Sequence, residues 1–124
     1  MSSHPLNLTV RFLLELSALF VLGMWGWQLR EDGLRFVLAI GIPLLLAVLW
    51  GVFAVPNDPS RSGKAPVPVP GWLRLLLELA FFGLAVWALA DLGYSIAAWL
   101  LGLLVFVHYL VSYDRIRWLF SSGR

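Results

Sequence analysis

Residues 36–55 read FVLAIGIPLLLAVLWGVFAV, twenty positions without a charge, an amide or a hydroxyl. An α-helix rises about 1.5 Å per residue, so this run is about 30 Å long, the thickness of a bilayer's hydrocarbon core. Buried helices of soluble domains keep a polar face, and this run has none. It also lacks the alternation of a barrel strand. Lipid offers no partner for a free backbone group, so a transmembrane helix is the form this stretch predicts.

Three further runs flank it. Residues 8–29 are apolar except for Arg11 and Glu15 among their charged positions, 72–90 carry Arg74 and Glu78 near their start, and 94–113 carry His108. Each is long enough to cross a bilayer. The chain as a whole has 124 residues, 60% hydrophobic and 13% charged, with no cysteine and a mean hydropathy of +0.85. That composition excludes a disordered chain, a disulfide-stapled domain and a thiolate metal site, and it fits an ordinary soluble enzyme poorly. The first run is a poor signal peptide: MSSHPLNLTV has no Lys or Arg, the apolar run is too long, and no small-residue cleavage site follows. Asn7 is expected to cap the first helix rather than to carry a glycan.

The connections are unequal. Arg30-Glu31-Asp32-Gly33 and Asp91-Leu92-Gly93 are tight turns with a glycine suited to a helix C-terminus, so spans one and two, and spans three and four, form antiparallel hairpins. Between the hairpins, residues 56–71 hold Pro56, Pro59, Pro66, Pro68 and Pro70 and read as an extended linker. Lys and Arg number seven on one side (Arg11, Arg61, Lys64, Arg74, Arg115, Arg117, Arg124) against Arg30 and Arg35 on the other. The positive-inside rule then places both termini and the Pro-rich linker in the cytoplasm. Trp25, Trp27, Trp87 and Trp99 fall near the outer ends and Trp72 and Trp118 near the inner ends, as an aromatic belt would, with Trp50 a turn inside.

Arg11-Phe12-Leu13-Leu14-Glu15-Leu16 recurs as Arg74-Leu75-Leu76-Leu77-Glu78-Leu79, each at the start of a hairpin. A duplicated two-helix unit explains the recurrence, and two helices per unit make the repeats parallel. The fold expected is an all-α integral membrane four-helix bundle of two parallel helical-hairpin repeats, in one domain.

These two openings, the Trp50-Gly51-x-Phe53-x-x-Pro56 end of the second span and the tail His108-Tyr109-x-x-Ser112-Tyr113-Asp114-Arg115 together resemble the YrdB-like family. Its members are small bacterial four-span membrane proteins classed as a domain of unknown function. The resemblance covers nearly the whole chain. It implies the fold class and a multi-pass location in the bacterial cell (inner) membrane. It carries over no catalytic residue, cofactor or substrate.

Ionisable residues inside a span usually have a partner or a role. Glu15 lies one turn deeper than Arg11, Glu78 one turn deeper than Arg74, and His108 seven residues before Arg115, so all three reach similar depth in the cytoplasmic half. Arg and Glu at i and i+4 share a face and can pair, which gives a structural clasp. Alternatively, Glu15 and Glu78 face each other across the repeat axis and, with His108, form a proton or cation pathway. Two Glu and one His can also ligate a metal, but the spacing is not diagnostic. Arg115, Arg117 and Trp118 read as interfacial anchors, and Asp114 and Arg115 as solvated or paired with the linker. Gly23 with Gly26, or Gly51 with Ala47, offer close helix contacts, and Pro43 a kink.

No phosphate loop, haem ligand pair or nucleophile triad is present, and the net charge of +2 forms no nucleic-acid stripe. No enzyme activity and no cofactor are expected. The partners expected are the lipid bilayer and a second copy or another membrane protein. The sequence thus predicts a small accessory, interaction or structural membrane protein with Arg–Glu clasps; a proton-coupled small-solute carrier is the alternative.

Overall fold

Pro5 opens the first helix, because proline's fixed φ and missing N–H suit only a first turn. The computed structural model describes residues 4–56, 58 and 65–121. Arg61, Lys64 and Arg124, used above for orientation, and Pro59 of the linker lie outside the described residues. Helix α1 spans Pro5–Gln28, α2 Leu34–Val52, α3 Gly71–Asp91, α4 Ser95–Val111 and α5 Tyr113–Ser121. Two-residue strands β1 (Phe53–Ala54) and β2 (Val67–Pro68) pair in parallel, Phe53 opposite Val67. The cap of α1 is His4, whose Nδ1 accepts the Leu6 N–H at 3.1 Å. This corrects the expectation for Asn7, which sits inside the helix because Pro5 draws the start upstream.

Among the described residues the regular structure is all helix apart from this short pairing. Three helices, α1, α2 and α3, are long and apolar enough to cross a membrane, and α4 with α5 makes a fourth if the bent pair is one span. Their outward faces are apolar: Trp99 is 81% exposed, Ile96 79% and Ile40 66%. Water is a poor solvent for a surface of that kind, and apolar helices with such faces suggest a membrane protein.

Helices α1 and α2 form one hairpin, and α3 and α4 the other. α1 packs along α3, joined at one end by Arg11 and Glu78 and at the other by the Trp25 indole, whose Nε1 donates to Asp91 at 2.9 Å. The two helices therefore run in the same direction. Phe82, Ala85 and Ala88 of α3 and Ala18 and Leu22 of α1 form the core between them. α2 has no fully buried residue. It lies against α1 where Gly23 and Gly26 lack side chains: a Cβ at Gly26 would stand 2.6 Å from the Leu38 carbonyl oxygen. Pro43 fits over Gly23 within a continuous α2. Gly51, by contrast, faces open space.

The two turns use different chemistry. Gly93 has φ +92° and closes α3 with a Schellman pattern, Tyr94 N–H to Leu89 and Gly93 N–H to Ala90. Gly33 has an ordinary φ of −61°. Asp32 makes that turn instead, accepting the Leu34 N–H at 3.1 Å and pairing with Arg30, which holds the Asp32 carboxyl below the usual carboxylate range.

The last apolar run divides. α4 stops at Val111, the Ser112 N–H bonds back to the His108 carbonyl, and the chain turns by 67° into α5. α5 docks on the start of α3, where Gly71 lets the backbone at Leu119 approach so closely that a Cβ would overlap its carbonyl. The linker is tied back too, since Val69 N–H donates to the Ala54 carbonyl at 2.9 Å.

Candidate functional site

Glu78 of α3 is fully buried. Its Oε2 accepts from Arg11 Nη2 at 2.9 Å, from Arg74 Nε at 2.8 Å and from Arg115 Nη2, and its Oε1 accepts the Tyr109 hydroxyl at 2.7 Å. Three guanidinium groups and a phenol thus converge on one carboxylate. Burial of even one charge costs several kcal/mol unless it is paired and fully bonded, so this arrangement stands or falls as a unit.

Each arginine reaches a second partner. Arg11 Nε donates to Glu15 at 3.1 Å, one turn up α1. Arg115 Nη1 donates to Asp58, itself buried in the connection between the hairpins. Arg74 Nη1 donates to the carbonyls of Trp50 and Phe53. These oxygens lie at the C-terminus of α2, where carbonyls lack an intrahelical partner and the dipole favours a cation. The Trp50 ring covers the same guanidinium, 4.4 Å from its centroid, and packs on Phe81 at 4.9 Å. α1, α2, the linker, α3, α4 and α5 therefore all meet around Glu78. Beside the cluster, Asn7 Nδ2 donates to Ser112 Oγ at 2.9 Å and ties α1 to the end of α4.

Of the five residues that the sequence marks, Arg11, Glu15, Arg74 and Glu78 meet through both i,i+4 ion pairs. The two glutamates are joined through Arg11, which bonds both, rather than by a direct carboxylate contact. Glu15 is the outlying member, with its side chain 21% exposed. His108 is buried but makes no hydrogen bond to the carboxylates; its ring stands edge-on to Tyr109, 5.6 Å between centroids. Among the described residues no three His, Cys, Asp or Glu come together as a metal would need.

Sequence reasoning missed three members. Arg115 is a buried ligand of Glu78 and Asp58, not an interfacial anchor; of the two readings given for it, pairing with the linker is the one observed. Tyr109 stands in the sequence only as part of the family tail, and Asp58 only as a position of the Pro-rich linker. None of the three lies at helical spacing from Glu78, so only tertiary structure brings them there. An open hollow lies at the far end of α1, lined by Leu19, Gly23, Trp27, Pro43 and Tyr94 among others, and among the described residues its lining includes no carboxylate and no basic group.

A protein family described as "Protein of unknown function (DUF2568)" matches residues 9–106. The uncharacterized protein YrdB of Bacillus subtilis (strain 168) is 39% identical over 116 residues, which cover 94% of each chain. No solved structure gives a significant match.

Proposed function

We propose, from the premise that the chain belongs to the DUF2568 family and is YrdB-like, that it is a non-enzymatic integral membrane protein whose Glu78 cluster fastens two helical hairpins at one membrane face. The reading makes it an accessory or interaction protein of the bacterial cell membrane. α1, α2, α3 and α4 are its four crossings. The observation that supports a clasp over a carrier is the coordination of Glu78. Its oxygens are already occupied by Arg11, Arg74, Arg115 and Tyr109, so a solute cation finds no open face. The recurring Arg11–Glu15 and Arg74–Glu78 pairs support descent of the hairpins from one duplicated unit.

The clasp reading expects liposomes loaded with the purified protein to show no proton or cation flux above empty liposomes, with Glu15→Gln unchanged. A flux abolished by Glu15→Gln or Glu78→Gln in folded protein overturns it in favour of the proton-coupled carrier.

Orientation follows from where Lys and Arg fall, since the topogenic rule counts cations rather than net charge. Arg11, Arg61, Lys64, Arg74, Arg115, Arg117 and Arg124 outnumber Arg30 and Arg35, which supports a cytoplasmic linker and cytoplasmic termini. A cysteine at Asp32 is therefore expected to react with a membrane-impermeant maleimide added outside intact cells; labelling only after lysis reverses the topology.

A further inference from the structure

The face of α5 turned away from α3 plays no part in the clasp, and it divides into two sides. Tyr113 and Phe120 fall at i and i+7 and share one stripe, with Ile116 at its edge packed partly against the core, while Asp114, Arg117 and Ser121 share the next. Tyr113 and Phe120 are exposed, Phe120 at 50%, whereas Arg115 and Leu119 point into the protein. We propose that α5 is an interfacial helix, lying along the cytoplasmic surface of the bilayer with Tyr113 and Phe120 in the lipid headgroup layer and Asp114, Arg117 and Ser121 toward water.

Four observations commit the surface to lipid. α5 starts where α4 ends, and a 67° turn from a helix that crosses the bilayer leaves it nearer the membrane plane than the normal. Gly71 pins Leu119 to the start of α3, which fixes α5 at that depth. Trp72, the next residue of α3, is exposed at the same level, as an aromatic belt requires. Arg117 lies over the Tyr113 ring, 5.8 Å from its centroid, and complements an anionic headgroup.

The inference rests on the membrane reading above, and the test separates the two. The chain has no cysteine, so Leu104→Cys on the outer face of α4, Phe120→Cys and Ser121→Cys each take one nitroxide label. The labelled proteins are placed in nanodiscs of phosphatidylcholine and phosphatidylglycerol, and collision with oxygen and with a water-soluble nickel chelate is measured. Leu104→Cys and Phe120→Cys are expected to favour oxygen several-fold over nickel, and Ser121→Cys to favour nickel. If Phe120→Cys meets nickel as freely as Ser121→Cys while Leu104→Cys stays in lipid, α5 lies in water and the inference fails alone. A Phe120→Cys label shielded from both probes means a protein covers the helix and also overturns it. A Leu104→Cys label open to nickel removes the membrane reading itself.

Discussion

Glu78→Gln is expected to cause the largest loss of stability of any conservative substitution in this chain. The change is nearly isosteric, so it removes a charge without opening a cavity. It leaves Arg11, Arg74 and Arg115 around a neutral amide inside the protein. Breaking a buried ion pair by removing one partner costs about 3–5 kcal/mol. Here one carboxylate serves three cations, which argues for the upper part of that range. Glu15→Gln makes the contrast. Glu15 is partly exposed and pairs along its own helix with Arg11, an interaction worth about 0.2–0.5 kcal/mol. Thermal unfolding of the detergent-solubilised protein, followed by size-exclusion chromatography, measures both. The double variant Glu78→Gln with Arg115→Gln relieves one of the stranded cations, so its loss is expected to fall short of the sum of the two single losses. Glu78→Gln unfolding at the wild-type temperature would show that the cluster does not hold the bundle.

Gly71→Ala is the second large effect, and it acts through shape alone. A Cβ there would stand 1.5 Å from the Leu119 carbonyl oxygen, with backbone atoms on both sides of the clash. No rotamer change relieves such an overlap, so α5 must leave its seat. Overpacking typically costs about 1–3 kcal/mol. Displacing α5 also withdraws Arg115 from Glu78 and Asp58, so the total is expected to exceed that range. Trypsin reports the displacement directly: Arg115 is buried in the native protein and becomes a cleavage site once α5 swings out. Gly41→Ala and Gly51→Ala are the controls, since an added Cβ meets nothing within 4 Å at either position. Alanine there is expected to be neutral or to stabilise by up to about 1 kcal/mol through helix propensity. Cleavage after Arg115 no faster in Gly71→Ala than in the wild type, read by mass spectrometry of the fragments, would disprove the tight seat.

The long apolar runs are legible from length alone, because a helix that satisfies its own backbone announces itself by uninterrupted hydrophobicity. The Arg11–Glu15 and Arg74–Glu78 pairs are legible for a similar reason, since both partners lie on one helix at a fixed spacing. The rest of the cluster is not local. Arg115 stands 37 residues from Glu78 and Tyr109 stands 31. Near a span end, tyrosine and arginine look the same whether they anchor in lipid or fold inward. Asp58 sits among prolines that signal extended chain and say nothing of what that chain touches. The break before α5 was hidden because Ser112 is neither Pro nor Gly. The change of pattern at Tyr113, from unbroken apolar to amphipathic, is the signal that could have revealed it.

The chain order of the cluster bears on how the protein is made. Translation is vectorial, so Arg11 emerges with Glu15 four residues behind it, and Arg74 with Glu78 four behind. Each nascent segment thus leaves the ribosome carrying its own counter-ion, as a near-neutral pair rather than a naked charge. Tyr109 and Arg115 are synthesised last of the Glu78 ligands. Until they arrive, Glu78 lacks two of its four donors, and the hairpins are locked only when Tyr109 and Arg115 join it.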